Sequence, residues 1–325
     1  MKGVKHAHWY RVPSIGEIAG PEAIRQVSER AESIGYDSLW VIDRLLFPVE
    51  PRTLYWAELD GHLPDAYRRT FAPLETLAFA AAHTQHAKLG VSVLNIPFYN
   101  PVMLARSLTT LDILSNGRLQ VGLGQGWSED EFEAAGASMK ERGKRADEFI
   151  RVLKTVWGAD PVEFHGDFYS VPRSIIGAKP VQKPHPPIYL AAFEPAALRR
   201  VATSTDGWNP AALPAGVMRQ MTGAMRSMAT AAGRDPEELN VVVRANVRIT
   251  PLPLGEDRMI FTGSLGQIHS DIETVRDLGV SELFFDLNFS VDGRKIDTLL
   301  SRMGQLREIA DEVLHPEKLV ALAAD

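Results

Sequence analysis

Lys88-Leu89-Gly90-Val91-Ser92-Val93-Leu94-Asn95, a helical stretch from Pro101 to Ser115, and Leu119-Gln120-Val121-Gly122-Leu123-Gly124-Gln125-Gly126-Trp127 decide the fold of this chain. Two apolar runs of strand length, Leu89 to Leu94 and Leu119 to Leu123, flank one segment of helix length, which reads as strand, return helix and parallel strand, one βα unit. Glycines 122, 124 and 126 let a bulky planar ligand approach the backbone where the second strand ends. A binding site is therefore expected at strand C-termini.

The same alternation runs through the whole sequence. Further strands are expected over Val4 to Trp9, Ser38 to Asp43, Ile188 to Ala191, Gly207 to Asn209, Asn240 to Ile249 and Glu282 to Leu287. Helices are expected over Pro21 to Ile34, Pro73 to His83, Gly143 to Trp157, Ala196 to Ser204, Met218 to Ala231, Gln267 to Leu278 and Asp297 to Val313. The second strand, with Leu39, Trp40, Val41 and Ile42 in succession, lacks polar alternation, as a parallel strand covered on both faces should. Eight such units read as an α/β protein, a closed (β/α)8 TIM barrel in one domain over residues 1–325, because a doubly wound open sheet has fewer strands and reverses its order once. Two connections are longer than the usual loops of such units: Arg44 to Thr70 after strand two, and Gly158 to Pro187 before strand five. Both are lid candidates. The second contains Glu163 to Tyr169, which reads as a β-hairpin turning at Gly166-Asp167.

At 325 residues, 45% of them hydrophobic, the chain can bury a large core. Its 35 Lys and Arg against 41 Asp and Glu give a net charge of −6, which argues against a nucleic-acid partner. The absence of cysteine excludes disulfides, thiolate catalysis and Cys-ligated metal centres. The first residues lack the apolar stretch of a signal peptide and no apolar run reaches membrane-spanning length, so a cytoplasmic protein with no membrane partner is expected. Gly122-x-Gly124-x-Gly126 is not a dinucleotide fingerprint, since it comes late in the chain and no helix opens directly on it.

Leu89 to Leu94, Asn100-Pro101, Leu111 to Leu119, Gly122 to Trp127, Glu141-Arg142-Gly143, Lys179 to Ile188 and Asp206-Gly207-Trp208-Asn209 together resemble the signature of luciferase-like monooxygenases. The resemblance is closest to the branch using the deazaflavin coenzyme F420 and covers about Pro21 to Leu287. It implies a bound deazaflavin or flavin, redox chemistry on a small-molecule substrate, and a homodimer. With F420 the reaction is hydride transfer; with FMN, the alternative, reduced flavin reacts with oxygen and one atom is inserted.

The resemblance places Gly126, Trp127, Ser128 and Asp130 beside the ring, although Ser128 with Glu131 also has capping-box spacing. It places a non-proline cis peptide at Ser92-Val93, with Asn95 at the ring edge. Asp43 can accept a hydrogen bond from the cofactor, while Arg44, where many relatives carry histidine, acts electrostatically or pairs with a carboxylate at the rim. After strand five, Phe193, Glu194, Ala196 and Ala197 stand where relatives use glycines at a helix start to hold a phosphate. Arg142, Arg145, Lys140 and Lys144 either reach a phosphate or the polyglutamate tail, or form a solvated helix face.

Two departures bear on the substrate. Trp127 replaces the acidic proton donor of the family's sugar-phosphate dehydrogenases, and Pro210-Ala211-Ala212-Leu213-Pro214 replaces their phosphate-holding lysines. An apolar or aromatic substrate fits better than a phosphorylated sugar. Arg44, His8 and Trp127 are the candidate catalytic residues, His8 or His6 as a pocket-facing proton donor. His6-x-His8 also resembles a metal-hydrolase pair, but matching histidines at later strand ends are missing, and no metal is expected. A catalytically idle flavin-binding barrel remains a further reading.

Overall fold

A computed structural model of the chain describes residues 7–314 except 57, 59, 212, 289 and 291–293, and of residues 7–9 only the backbone. Eight strands form a closed parallel barrel: β1 (Ala7–Arg11), β2 (Ser38–Val41), β3 (Lys88–Asn95), β4 (Leu119–Gly124), β5 (Ile188–Leu190), β6 (Gly207–Trp208), β7 (Asn240–Asn246) and β8 (Glu282–Asp286). Each pairs with its sequence neighbours, and β1 closes on β8 through Ala7 with Glu282 to Tyr10 with Phe285. The expected (β/α)8 architecture is the observed one.

Local chemistry explains why the helices start where they do. Proline stands at the first turn of the helices Pro21–Ser33, Pro73–Ala82, Pro101–Leu114 and Pro195–Ser204, where its missing N–H costs nothing. Asn100 caps the third of these, its side chain accepting from the N–H groups of Val102 at 3.0 Å and Met103 at 3.2 Å. The first buries Ile24, Val27 and Ala31 against the sheet, one apolar stripe at helical spacing.

Inside the barrel, Trp40, Tyr189, Val242 and Phe284 make a separate packed layer, with Trp40 and Phe284 stacked at 4.9 Å. Gly90 leaves room for it: a Cβ there would lie 2.6 Å from the Trp40 indole. A polar cluster accompanies this layer. Gln120 Nε2 donates to Glu282 at 3.2 Å and to the Tyr189 hydroxyl at 3.3 Å, and burial pushes the Glu282 carboxyl up to about 7.

The two insertions differ in which end of the barrel they serve. Residues 44–70 follow a strand and rise at the mouth, whereas 158–187 follow the helix Arg142–Trp157 and are an αβ connection, which starts at the opposite end. The second does form the expected hairpin, Val162–His165 with Ser170–Ser174, but the tight turn is Asp167-Phe168, closed by the Gly166 N–H on Tyr169 O at 3.0 Å. Glu148 holds that turn, its carboxylate accepting from the N–H groups of Asp167, Phe168 and Tyr169 at 2.5, 2.7 and 3.0 Å.

Candidate active site

The ends of β2, β3 and β4 lie side by side and build one wall of a cavity of about 550 Å³ at the barrel mouth. That wall carries Asp43, Ser92, Val93, Asn95, Gly124, Gln125, Gly126 and Trp127. The facing side is made by Ala191, Phe193, Glu194 and Ala197 after β5, Asn209, Ala211 and Leu213 after β6, and Arg244 on β7. Tyr55, Trp56 and Tyr67 close it from the 44–70 insertion. Asp43, Asn95 and Trp127, dispersed in sequence, thus meet at one cavity.

Asp43 is 9% exposed, and its Oδ2 accepts from the Asn95 N–H at 3.1 Å and the Tyr99 hydroxyl at 3.0 Å. Burial pushes its carboxyl up to about 6, against the opposing pull of those two hydrogen bonds. The Ser92-Val93 peptide is cis, as the resemblance implies, and the β3–β4 register shifts between Val91 and Leu94.

The glycines serve the neighbouring strand more than a ligand. A Cβ at Gly122 would lie 2.0 Å from Val91 O, and one at Gly124 would lie 2.4 Å from Val93 Cγ2. Gly126 has φ +69°, a left-handed conformation that disfavours any side chain.

Arg44 makes the carboxylate contact that was one of its two expected roles. Its Nη1 lies 3.3 Å from Glu131 Oε2, and the guanidinium sits over the rings of Trp127 at 4.8 Å and Tyr67 at 5.3 Å. Nε and Nη2 are buried with no hydrogen-bond partner among the described residues. The Ser128–Glu131 capping box does not form, because Glu131 is taken by Arg44 and by the Leu45 N–H at 2.8 Å. Burial raises the Glu131 pKa, while Arg44 and backbone N–H groups hold it down.

Ser128, Asp130 and Ala196 do not line the cavity. Ser128 is buried beneath it, Ala196 is exposed, and Asp130 accepts from Arg52 Nε at 2.9 Å and Arg52 N at 3.1 Å, which ties the insertion to the helix Glu129–Ala134. Of the basic run only Arg142 lines the cavity, donating to Gly126 O at 3.1 Å, while Arg145 covers the Phe168 ring and Lys144 pairs with Glu141. The 158–187 insertion contributes no lining residue, and so only the first lid candidate reaches the site. His6 lies outside the described residues, and His8 is placed only as backbone on β1, paired with Leu283. Among the described residues no group of three or more His, Asp or Glu is arranged to hold a metal ion.

Tyr55, Trp56, Tyr67, Tyr99 and Arg244 were not singled out in the sequence, and Gln125 and Asn209 stood in its motifs without an assigned role. Tyr55 packs on Trp127 at 5.5 Å and on Tyr67 at 6.2 Å, and Trp56 meets Phe193 at 5.6 Å. An adjacent aromatic pair within a long strand-following loop was the available signal. A larger cleft of about 1070 Å³ lies on the other side of this insertion. It shares no residue with the cavity and is lined by charged groups including Glu17, Asp60, Asp65, Arg68 and Arg69, a poor match for a flat apolar heterocycle.

This geometry sets a (β/α)8 barrel with its site at the strand C-termini and a non-proline cis peptide in its wall. The model of the luciferase-like monooxygenase family matches residues 6–251, and the chain belongs to that family. It is 33% identical over 196 residues to an F420-dependent glucose-6-phosphate dehydrogenase of Amycolatopsis mediterranei, a match covering 59% of this chain and 54% of that relative, about half its length. Monooxygenase RslO1 from Streptomyces bottropensis shares the fold with a TM-score of 0.74 at 19% identity, over 93% of this chain and 98% of that one. An F420-dependent secondary alcohol dehydrogenase in complex with an F420-acetone adduct does so with a TM-score of 0.74 at 16% identity, over 94% and 99%.

Proposed function

We propose that the cavity takes the tricyclic ring of coenzyme F420 and that the chain is an F420-dependent oxidoreductase acting on a small apolar or aromatic substrate. The observation that carries this is the convergence of Asp43, Asn95, Gln125 and Trp127 on one cavity whose remaining lining combines aromatic and apolar groups with Arg44, Arg142, Glu194, Asn209 and Arg244. Buried polar atoms on its lining fit a heterocycle bearing carbonyls and ring N–H groups: among the described residues Gln125 Nε2 has no acceptor and Asn209 Oδ1 no donor. When bound, F420 supplies a hydride at a carbon that does not activate oxygen.

The chain's own residues supply orientation and exclusion of water. Asn95 presents an amide to the ring edge, Asp43 faces the space beside it, and Trp127, fixed between Tyr55 and the Arg44 cation, gives a rigid flat wall. Trp56 and Phe193 touch across the mouth and narrow it. The named relative acts on glucose 6-phosphate, but Ala211 and Leu213 line this cavity and residues 210–214 include no lysine, which supports an uncharged substrate. The family's homodimer and a cytoplasmic location belong to the same proposal; among the described residues no helix is long and apolar enough to cross a membrane.

Side-by-side titration with F420 and FMN, read by tryptophan quenching, tests the assignment. Quenching by F420 at micromolar concentration and none by FMN is expected. Tight FMN binding with oxygen-dependent turnover of the reduced flavin would replace it with the monooxygenase reading.

A further inference from the structure

Proton transfer must accompany hydride transfer to a carbonyl or imine, and Arg44 and Trp127 are unsuited to it. Arginine stays protonated at every physiological pH, and indole is neither acid nor base. Among the described lining residues only Asp43 and Glu194 are carboxylic acids, and Glu194 is exposed whereas Asp43 is buried.

We propose that Asp43, positioned by Tyr99, is the catalytic acid in reduction and the catalytic base in oxidation. This rests on the deazaflavin reading above. Both hydrogen bonds to Asp43 fall on Oδ2, which leaves Oδ1 for a ligand in the cavity it lines. The neighbouring cation does not claim the carboxylate, because Arg44 is committed to Glu131. The other charged and titratable groups that face Asp43 are Tyr99 from the segment after β3 and Glu131 from the helix after β4; Arg142, Glu194 and Arg244 line other parts of the cavity. Burial holds the carboxyl near 6, where one group can both give and take a proton close to neutrality. Tyr99 is not itself the acid, since its own burial and Asp43 raise its pKa.

In the reductive direction the O–H bond of Asp43 breaks and its proton passes to the carbonyl oxygen or imine nitrogen. A new C–H bond forms on the adjacent carbon from the hydride of the reduced deazaflavin, so the substrate gains two electrons and the cofactor loses two. Water returns the proton to the carboxylate. Reduction therefore needs protonated Asp43 and slows as pH rises through its pKa, and oxidation slows as pH falls through it.

The test compares the unaltered chain with Asp43→Asn and Tyr99→Phe. F420 binding by fluorescence should persist in Asp43→Asn, weakened by no more than about tenfold, the size of one lost hydrogen bond. The infrared difference between the F420 complexes of the unaltered chain and Asp43→Asn should contain one carboxylic C=O band, separate from those of Glu131 and Glu282, that titrates near the value given above; in Tyr99→Phe, which loses a hydrogen bond that stabilises the carboxylate, that band should titrate at higher pH. This arm needs no substrate. With reduced F420 and cyclohexanone as probe acceptor, Asp43→Asn should lose about 100-fold in kcat together with the pH inflection. An Asp43 that stays ionised across this range, an Asp43→Asn protein with unchanged kcat and pH profile, or one that no longer binds F420 overturns the proposal. Absence of F420 binding by the unaltered chain removes the reading beneath it instead.

Discussion

The wall built by strand ends and the wall built by the 44–70 insertion enclose the same cavity but are held by different forces. Asn95 and Gly124 pair in the β3–β4 ladder, and the spacing is so tight that Gly122 leaves no room for a Cβ beside Val91 O. Apart from its end, where Ile15 bridges Thr70, the insertion is held by side chains: Arg52 on Asp130, Arg248 on Glu58, and the Arg44 cation over two rings. Its outermost aromatic, Trp56, is 58% exposed. The backbone ladder fixes one wall before any ligand arrives, and the other is left adjustable around it.

The largest break in that contrast is Gly122→Ala. Its Cβ meets backbone that cannot move without opening the β3–β4 pair, and a loss above about 3 kcal/mol in urea unfolding is expected. A change within about 1 kcal/mol would show the strand wall to be as pliable as the loop wall. Next comes Glu131→Ala, which strands the buried Arg44 charge and should cost about 3 kcal/mol. The double replacement Arg44→Met with Glu131→Leu should recover most of that loss, and failure to do so would mean that the ring contacts of Arg44 matter more than its ion pair.

Glu282, inside the barrel, sharpens the contrast from a third position. Its folded pKa of about 7 stands above the ordinary 4.5, through burial opposed by Lys88 and the Gln120 hydrogen bond. The folded state then binds more protons than the unfolded between those values, so stability is full below the lower, falls as pH rises through the window, and levels off above it. Glu282→Gln should flatten that slope, removing about 3 kcal/mol of pH-dependent stability, and an unchanged slope in chemical denaturation would refute it. The smallest effect belongs to Arg52→Ala. Its ion pairs are half exposed, so global stability should shift by less than about 1 kcal/mol. Amide exchange across residues 45–56 should nonetheless speed up, whereas that of β3 and β4 stays as it was.

The same distinction explains what the sequence reveals. Strands covered on both faces announce themselves as apolar runs, and most of the eight were legible in that way; the first, expected over Val4 to Trp9, runs on to Arg11, with residues 4–6 outside the described ones, and β7 stops at Asn246 instead of running on to Ile249. There Val247 N–H turns to Asp286 O, and Arg248–Ile249 pairs with Thr262–Gly263. Residues at strand ends were legible with them, as Asp43, Asn95 and Trp127 show. Tyr55, Trp56 and Tyr67 were not, because their place depends on contacts 60 or more residues away, such as Tyr55 on Trp127, that leave no periodic trace. Ser128 and Glu131 show the converse, a local spacing that fits a cap but yields to a distant cation.

The turn gripped by Glu148 also bears on the order of assembly. Its three hydrogen bonds join residues 19 to 21 apart in the chain, whereas the Arg11–Asp286 pair that accompanies closure of the first strand on the last joins residues 275 apart. Loop-closure entropy favours the near contacts, so the helix and hairpin together form an early-ripening module on which a nascent chain can dwell until its final strand emerges.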